Sequence, residues 1–503
     1  MKEIEIPRDY NAADDLVGRN LAAGRGAKVA YIDDAGQCSY AELAERACRF
    51  GNHLLSLGLR MEDRVLIAMH DTIDWPVAFL GCIRAGIVPI AVNTLLTTKD
   101  YEFMLSDSRA KALLVSPPLK PQFDPLIGKL PFLKHVLVSP FAEILSKSNP
   151  NLSPAPTTRD DPCFWLYSSG STGMPKGTVH VHGSMRITAE LYAVGVLGMR
   201  EGDTVFSAAK LFFAYGLGNS LSFPLTVGAT TVLMAERPTP DAVFKRLTER
   251  KPTLFFGVPT LYAAMLASPG FPSRNSLGLR SCVSAGEALP PQIAKGFKEK
   301  TGVDILDGIG STEMLHIFLS NRPDELRLGT TGKAVPGYEL RLVDEQGNDV
   351  KRGELGELLI KGPTAANGYW NNRAKSRSTF VGEWTRSGDK YSQDKDGFYA
   401  YGGRTDDMLK VSGIWVSPAE VEAALVSHEA VLEAAVVGKE DEQKLVKPKA
   451  FVVLKPGKQA SAEELQNYVK SKLAPYKYPR WIEFKADLPK TATGKIQRFK
   501  LRG

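Results

Sequence analysis

A glycine- and hydroxyl-rich stretch, YSSGSTGMPKGTVH at residues 167–180, has the composition of a phosphate-binding loop. Glycine lets backbone N–H groups turn toward an anion without a Cβ clash, and hydroxyl and ammonium groups add donors. The candidate phosphate contacts are Ser168, Ser169, Gly170, Ser171, Thr172, Gly173 and Lys176. The spacing excludes a Walker A motif, because Pro175 precedes Lys176 and residues 178–182 are typical of a strand rather than a helix. A plain flexible loop is the alternative.

The elements around this stretch predict an α/β protein. PCFWLY at 162–167 is typical of a buried strand, and we expect a loop from Ser168 to Gly177. Apolar strand-like runs alternate with amphipathic segments through most of the first part of the chain, which predicts largely parallel, covered sheets. Shorter, glycine-punctuated strands then predict a β-rich subdomain. The expected organisation is a large N-terminal domain of α/β subdomains plus this β-rich subdomain at 1–405, and a small α+β C-terminal domain at 406–503.

Composition narrows the class of protein and its compartment. The chain has 503 residues, too many for one compact domain, and a formal net charge of +7. Residues 470–503 hold ten Lys or Arg against two acidic residues, a local net charge of +8. Such a segment could bind nucleic acid, a membrane surface or a phosphorylated small molecule, or it could be only a solvent-exposed face. Five scattered cysteines argue against a disulfide framework. No signal-peptide pattern or bilayer-spanning run stands out, so a cytoplasmic location is expected.

Several motifs, taken in order, resemble those of the adenylate-forming enzymes, which include acyl- and aryl-CoA ligases, luciferases and peptide-synthetase adenylation domains. SSGSTGMPKG resembles the signature loop of that family, and DGIGSTE at 307–313 resembles its second nucleotide motif. The resemblance makes Thr312 a phosphate contact and Glu313 a ligand of Mg²⁺, which prefers carboxylate oxygens. The remaining nucleotide contacts implied by these motifs and by SAGEALP at 284–290 are Asp307, Gly308, Ile309, Gly286 and Glu287. Ile309 departs from the family pattern, which usually places an aromatic residue there to stack on adenine.

The later motifs imply the ribose contacts, the catalytic lysine and a hinge. RSGDKY and GGRTDD resemble the segments that hold the ribose through Asp389 and Arg404. PKTATGKIQRFKLR resembles the motif whose lysine, here Lys495, bridges the acid and the α-phosphate. A positioned cation would offset the repulsion between a carboxylate and a phosphate. By the same resemblance Asp406 is the hinge of a mobile C-terminal domain, and Lys410 and Gly413 lie beside the coenzyme A path. The basic tail then has the phosphates of coenzyme A as a partner.

The resemblance places LFFAYGLGNS at 211–220 beside the acid, with MLHIF at 314–318 on the other side of the pocket. The acid-binding residues that it implies are Ala214, Tyr215, Gly310, His316 and Ile317. Ala214, Tyr215, His316 and Ile317 predict a short, flat and largely apolar pocket. An α-amino acid is disfavoured because Ala214 and Tyr215 offer no carboxylate for its ammonium group. FFAYGLGN and GSTEMLHIF resemble the benzoate-CoA ligase group, which implies benzoate or a hydroxybenzoate as the acid. Plain core packing is the alternative for these aromatic residues, and His316 could equally be a core histidine.

The resemblance therefore implies an ATP-dependent aryl-CoA ligase that releases AMP and pyrophosphate. Its implied cofactors and co-substrates are ATP, Mg²⁺ and coenzyme A, with a small aromatic carboxylate as the acid. We expect no nucleic-acid or membrane partner, and a monomer or homodimer. A short- or medium-chain acyl-CoA ligase, a peptide-synthetase adenylation domain and a non-catalytic nucleotide-binding protein are the alternatives.

Overall fold

The elements follow one another in an α/β order. The structure is a computed structural model, and it describes residues 4–170, 173–405, 407–411, 414–442, 445–490 and 496–502. In chain order the strands are β1 (Val29–Ile32), β2 (Gln37–Ser39), β3 (Arg64–Ala68), β4 (Val88–Ala91), β5 (Ala112–Val115), β6 (His135–Val138), β7 (Pro162–Gly170), β8 (Gly173–Val181), β9 (Thr204–Ser207), β10 (Thr230–Val232), β11 (Leu254–Gly257), β12 (Ser281–Ala285), β13 (Ile305–Gly310), β14 (Ile317–Ser320), β15 (Lys333–Ala334), β16 (Glu339–Val343), β17 (Gly356–Lys361), β18 (Gly368–Tyr369), β19 (Phe380–Val381), β20 (Trp384–Gln393), β21 (Tyr399–Arg404), β22 (Leu409–Val411), β23 (Ile414–Val416), β24 (Val431–Glu440), β25 (Val446–Leu454) and β26 (Trp481–Phe484). The helices are α1 (Arg19–Ala22), α2 (Tyr40–Ser56), α3 (Asp74–Arg84), α4 (Thr98–Ser108), α5 (Ala142–Lys147), α6 (His182–Thr188), α7 (Ala214–Leu217), α8 (Phe223–Val227), α9 (Pro240–Glu249), α10 (Pro259–Ala267), α11 (Pro291–Thr301), α12 (Arg373–Thr379), α13 (Pro418–Val426) and α14 (Ala462–Lys472).

Two large sheets, as far as the chain is described, hold the candidate site between them. The seven-stranded sheet has the order β18-β8-β7-β4-β3-β5-β6, and the nine-stranded sheet has the order β15-β14-β13-β12-β11-β9-β10-β1-β2. Their central strands run parallel, and the strands at the β18 and β15 edges turn antiparallel. This arrangement confirms the predicted α/β class. It also brings the antiparallel edge of each sheet to the residues predicted to bind the nucleotide.

The smaller sheets match the predicted β-rich and α+β regions. β16, β17, β19, β20 and β21 form one antiparallel sheet. β24, β25 and β26 form a mixed sheet, antiparallel between β24 and β25 and parallel between β25 and β26, against α13 and α14. The predicted boundary at residues 405 and 406 stays a prediction, and residue 406 lies outside the described part of the chain. Every helix in the described residues is too short or too polar to cross a lipid bilayer.

One prediction about the glycine-rich stretch is wrong. Residues 168–170 and 173–177 are not loop but the facing ends of β7 and β8, with Ser168 opposite Lys176 and Gly170 opposite Gly173. Directly after this stretch β8 is also paired on its other side, where Gly368 and Tyr369 of β18 meet Val179 and Thr178. Glycine and serine weaken a strand, but these residues continue the ladder that the apolar parts of β7 and β8 begin.

Helices α2 and α3 cross at a point that admits only glycine. A Cβ atom on Gly81 of α3 would lie 2.8 Å from the carbonyl oxygen of Ala47 and 3.1 Å from Cβ of Phe50, both on α2. Backbone this close cannot yield without moving a helix, because protein interiors are close-packed. The contact therefore sets the depth at which α2 lies on the sheet.

We expect Gly81→Ala to destabilise the protein by about 1–3 kcal/mol, since the methyl group must push the two helices apart. The measurement is the urea midpoint of unfolding. Gly202→Ala is the control, because a Cβ atom on Gly202 meets no atom within 4 Å. An unchanged midpoint in Gly81→Ala would contradict the packing described.

Candidate functional site

Glu313 lies where the two large sheets meet. It belongs to the connection between β13 and β14, the antiparallel turn of the nine-stranded sheet. Its Oε1 atom accepts a hydrogen bond from the hydroxyl of Tyr369 at 2.8 Å and one from the hydroxyl of Ser168 at 3.2 Å. Both donors belong to the seven-stranded sheet, on β18 and β7. Within the described residues Oε2 accepts no hydrogen bond, so one oxygen is fixed and the other is left for a ligand.

Tyr369 was not predicted as a site residue. Burial, together with the nearby Glu313 charge, raises the pKa of its phenol well above the usual range, so the hydroxyl stays a donor. The ammonium of Lys176 lies 4.8 Å from the centroid of the Tyr369 ring, a cation–π distance. Tyr369 therefore contacts Glu313 and Lys176 directly, and Ser168 donates to the same oxygen of Glu313. The sequence signal that could have indicated Tyr369 is the pair Gly368 and Tyr369, which forms the short strand beside β8.

His180 fixes the same turn from the neighbouring strand. Its Nε2 atom lies 2.7 Å from the carbonyl oxygen of Thr312, and its ring stacks on Phe164 at 5.3 Å. Burial lowers the pKa of His180 to about 4, so the ring is neutral and Nε2–H donates to the carbonyl. The imidazole thus holds Thr312 beside Glu313. No group of three or more His, Cys, Asp or Glu in the described residues is arranged as a metal cluster.

The predicted ribose contacts are neighbours. Asp389 on β20 lies directly opposite Arg404 on β21, and Arg404 Nη1 donates to Asp389 Oδ1 at 3.3 Å and to the carbonyl of Ser387 at 3.0 Å. A Cβ atom on Gly388, whose φ is +72°, would lie 2.9 Å from Arg404 Nη2. Glycine therefore leaves the guanidinium room to lie beside the carboxylate.

The predicted adenine contacts come from the ends of β12 and β13. Gly286 follows β12 with a φ of +96°, a turn conformation that favours glycine. The Glu287 side chain that follows accepts a hydrogen bond from the backbone N–H of Ile496 at 3.0 Å. Asp307 is buried, and burial raises the pKa of its carboxyl well above the usual range. Among the described residues its Oδ1 atom has no hydrogen-bond partner.

The antiparallel pairing of β13 with β14 places the rest of the second nucleotide motif. Ile309 lies opposite Leu319 and packs against the core with its side chain partly buried. A Cβ atom on Gly308 would lie 3.1 Å from Cδ1 of Ile317, so Gly308 admits the close packing of that isoleucine. Residues 307–310 of the motif therefore belong to strand β13, and residues 311–313 belong to the turn that follows.

The predicted acid-binding residues converge around His316. Its Nε2 atom lies 3.1 Å from both the carbonyl oxygen of Tyr215 and Oδ1 of Asn219, and the rings of Tyr215 and His316 are 5.5 Å apart. A Cβ atom on Gly310 would lie 2.4 Å from the carbonyl of His316, so glycine is needed there. Ala214 begins α7 and Ile317 begins β14, each next to one of these aromatic residues. His316 is also packed as a core histidine, as the alternative predicted.

Some predicted residues lie outside the described part of the chain. They are Ser171, Thr172, Asp406, Gly413 and Lys495. The side chains of Ser169 and Lys410 are also outside it, although the backbone of Lys410 pairs with Trp415 between β22 and β23. Their predicted roles stay predictions.

The basic C-terminal segment is partly neutralised by its own domain. Several of its cations form ion pairs, namely Lys477 with Glu420, Lys485 with Glu483, Lys490 with Glu433 and Asp487, Arg498 with Glu422, and Arg502 with Asp407. The local +8 therefore overstates the charge available to a phosphate-bearing partner.

Comparison with known families gives matches over most of the chain. The AMP-binding enzyme family matches residues 19–370, and the AMP-binding enzyme C-terminal domain matches residues 420–495. The chain is 62% identical to a benzoate–CoA ligase of Thauera aromatica, over 99% of this chain and 97% of that protein. It is 51% identical to a 4-hydroxybenzoate–CoA/benzoate–CoA ligase of Rhodopseudomonas palustris, over 98% of this chain and 94% of that protein.

Solved structures give the same result. The fold is similar to a benzoate CoA ligase from Burkholderia xenovorans LB400, with 55% identity, a TM-score of 0.93, and coverage of 98% of this chain and 100% of that one. It is also similar to the anthranilate CoA ligase AuaEII in complex with anthranoyl-AMP, with 45% identity, a TM-score of 0.96, and coverage of 99% and 97%.

Three buried histidines of this region predict loss of stability in mild acid. Burial lowers the pKa of His180 and His182 to about 4 and that of His316 to about 3, against an ordinary value of 6.5. Between pH 6.5 and these values the unfolded chain takes up protons that the folded histidines do not, so their contribution to stability is complete above pH 6.5 and is lost as the pH falls. Each histidine contributes about 1.4 kcal/mol per pH unit in that window.

We therefore expect the thermal midpoint to fall by less in His316→Gln than in the wild type between about pH 7 and about pH 5, because Gln keeps a side-chain N–H but does not titrate. Thermal unfolding of both proteins at the two pH values measures this. An equal fall in both would mean that His316 takes up its proton while folded.

Proposed function

Since the chain belongs to the AMP-binding enzyme family and is an adenylate-forming aryl-CoA ligase, we propose that its acid is benzoate or a hydroxybenzoate. The observation that carries the proposal is the 62% identity to a benzoate–CoA ligase along 99% of this chain. The aromatic and apolar surroundings of His316 support it, because a flat apolar pocket with a few polar atoms suits an aromatic ring.

In the first step the carboxylate attacks the α-phosphorus of ATP, which gives the acyl-adenylate and pyrophosphate. We assign the phosphates to the β7–β8 hairpin, with Ser168, Lys176 and Thr312 as donors. Asp389 and Arg404 would hold the ribose, and Gly286 to Glu287 with Asp307 to Ile309 would line the adenine. Lys495 would offset the repulsion between the two reacting anions. No protein nucleophile is required.

Glu313 fits the requirements of a Mg²⁺ ligand. Mg²⁺ is commonly held by one or two carboxylates together with substrate phosphates. The hydroxyls of Tyr369 and Ser168 fix Oε1 at 2.8 and 3.2 Å, so the carboxylate has a set orientation before the nucleotide arrives. When bound, the ion would neutralise charge on the phosphates. Tyr369 and His180 would orient the turn that carries the carboxylate.

In the second step the thiol of coenzyme A displaces AMP from the acyl-adenylate and gives the aroyl thioester. We assign Asp406 as the hinge at which a C-terminal domain of residues 406–503 turns between the steps, and Lys410 and Gly413 to the coenzyme A path. The domain limits 1–405 and 406–503 follow from this hinge. We also infer a cytoplasmic location, because all five cysteines are free and buried, as expected in a reducing compartment.

The test is AMP formation from ATP with benzoate, 4-hydroxybenzoate and hexanoate, each with and without coenzyme A. We expect kcat/KM for benzoate or 4-hydroxybenzoate to exceed that for hexanoate by about tenfold or more, because a pocket shaped for a flat ring loses contacts with a flexible chain. Glu313→Gln is the matched inactive control. A preference for hexanoate would mean an aliphatic acyl-CoA ligase, and AMP formation with none of the acids would contradict the proposed function.

A further inference from the structure

The segment that carries Lys495 closes on itself at its base. Lys490 and Ile496 form an antiparallel bridge, and the N–H of Gln497 donates to the carbonyl of Pro489 at 2.7 Å. Residues 490 and 496 therefore lie side by side. Lys495 is bonded directly to Ile496, so whatever fixes the Ile496 amide also limits where Lys495 can reach.

One side of this base belongs firmly to the C-terminal domain. Arg498 Nε donates to Glu422 Oε1 at 2.8 Å, and Arg498 Nη2 donates to Glu422 Oε2 at 2.6 Å, a bidentate pair on α13. Glu422 Oε1 also accepts the N–H of Val436 on β24 at 2.7 Å. Leu488 and Ile496 pack against the apolar side chains of β24 and β25. The base thus moves with its own domain.

The other side is held by the large domain. The Ile496 N–H donates to Oε1 of Glu287 at 3.0 Å, across 209 residues of sequence. Glu287 directly follows Gly286, the turn predicted to line the adenine. Burial lowers the pKa of Arg498, but Glu422 and then Glu287 more than offset this, so its pKa is raised. The Glu287 carboxylate therefore attracts this segment both by a hydrogen bond and by charge.

We propose that the Glu287 carboxylate is a positioning residue that holds the Ile496 amide, and so keeps Lys495 at the nucleotide, while the adenylate forms. The proposal rests on the proposed function, in which Lys495 acts only in the first step. A backbone contact with adenine could be made by many residue types at 287, whereas the bond to Ile496 needs this acceptor. The bond must break before the C-terminal domain can turn for the second step.

The two half-reactions separate this role from others. Adenylate formation is measured by exchange of pyrophosphate into ATP with benzoate, and thioester formation is measured from supplied benzoyl-AMP and coenzyme A. We expect Glu287→Ala to slow adenylate formation by about ten- to a hundredfold, the range for loss of a hydrogen bond to a charged group. The loss should be in kcat, with KM for ATP unchanged, and thioester formation should not be slower.

The matched variants use the full chain. Glu287→Gln keeps an acceptor oxygen without the charge, and we expect a smaller loss than in Glu287→Ala. Glu299→Ala on the neighbouring α11 should match the wild type, since Glu299 is exposed and forms no ion pair in the described residues. Lys495→Ala provides the reference for loss of the first step alone. Equal loss of both half-reactions, a rise in KM for ATP with kcat unchanged, or no effect would each overturn the proposal.

A measurement without catalysis distinguishes failure of this proposal from failure of the proposed function. Amide hydrogen exchange of the peptides that cover residues 496–502 should be faster in Glu287→Ala than in the wild type and in Glu299→Ala. Unchanged exchange would overturn the contact even if the enzyme were active. Faster exchange in a protein that made no adenylate would support the contact and contradict the function.

Discussion

The hydrogen bonds to Oε1 of Glu313 join the two large sheets at the point where the nucleotide motifs meet. Ser168 and Tyr369 belong to the seven-stranded sheet, and Glu313 belongs to a turn of the nine-stranded sheet. The carboxylate of Glu313 lies between two sheets, so its orientation is fixed only if both sheets place their hydrogen-bonding groups correctly around it. The pairing of β7 with β8 and of β8 with β18 positions Ser168 and Tyr369. The bulged pairing of β13 with β14 positions the turn that carries Glu313.

The same arrangement explains how one chain can carry two steps. The residues assigned to phosphate, metal and ribose lie in the large domain and are set by strand pairing, so they need not move. Residues 496–498, which follow Lys495, are bonded to the small domain through Arg498 and Glu422, and to the large domain through Glu287. In the proposed function the first step needs the charge of Lys495 and the second step needs it withdrawn, and a single hydrogen bond to the large domain suits that change.

The sequence predicted regular elements better than it predicted their contacts. The alternation of apolar runs with amphipathic segments predicted the α/β class, and the apolar run at 162–167 predicted the first part of β7, since local pattern decides such elements. The prediction was wrong for residues 168–170 and 173–177, because glycine and serine signal a loop, whereas here they continue the antiparallel ladder of the apolar strands that flank them. The motifs pointed to Glu313 and Glu287, but they could not reveal that Tyr369 donates to Glu313 or that the Glu287 side chain accepts from Ile496. Those contacts join residues far apart in the chain.

The measurement that tests the central place of Glu313 most directly is a Mg²⁺ titration of thermal stability in the presence of ATP. Tyr369→Phe keeps the ring beneath Lys176 and removes the hydroxyl that orients Glu313. Tyr40→Phe, which loses a buried hydroxyl bond to Ala229 far from the site, is the control. We predict that half-maximal stabilisation needs about tenfold more Mg²⁺ in Tyr369→Phe than in the wild type or the control. The same Mg²⁺ requirement in all three proteins would contradict the account.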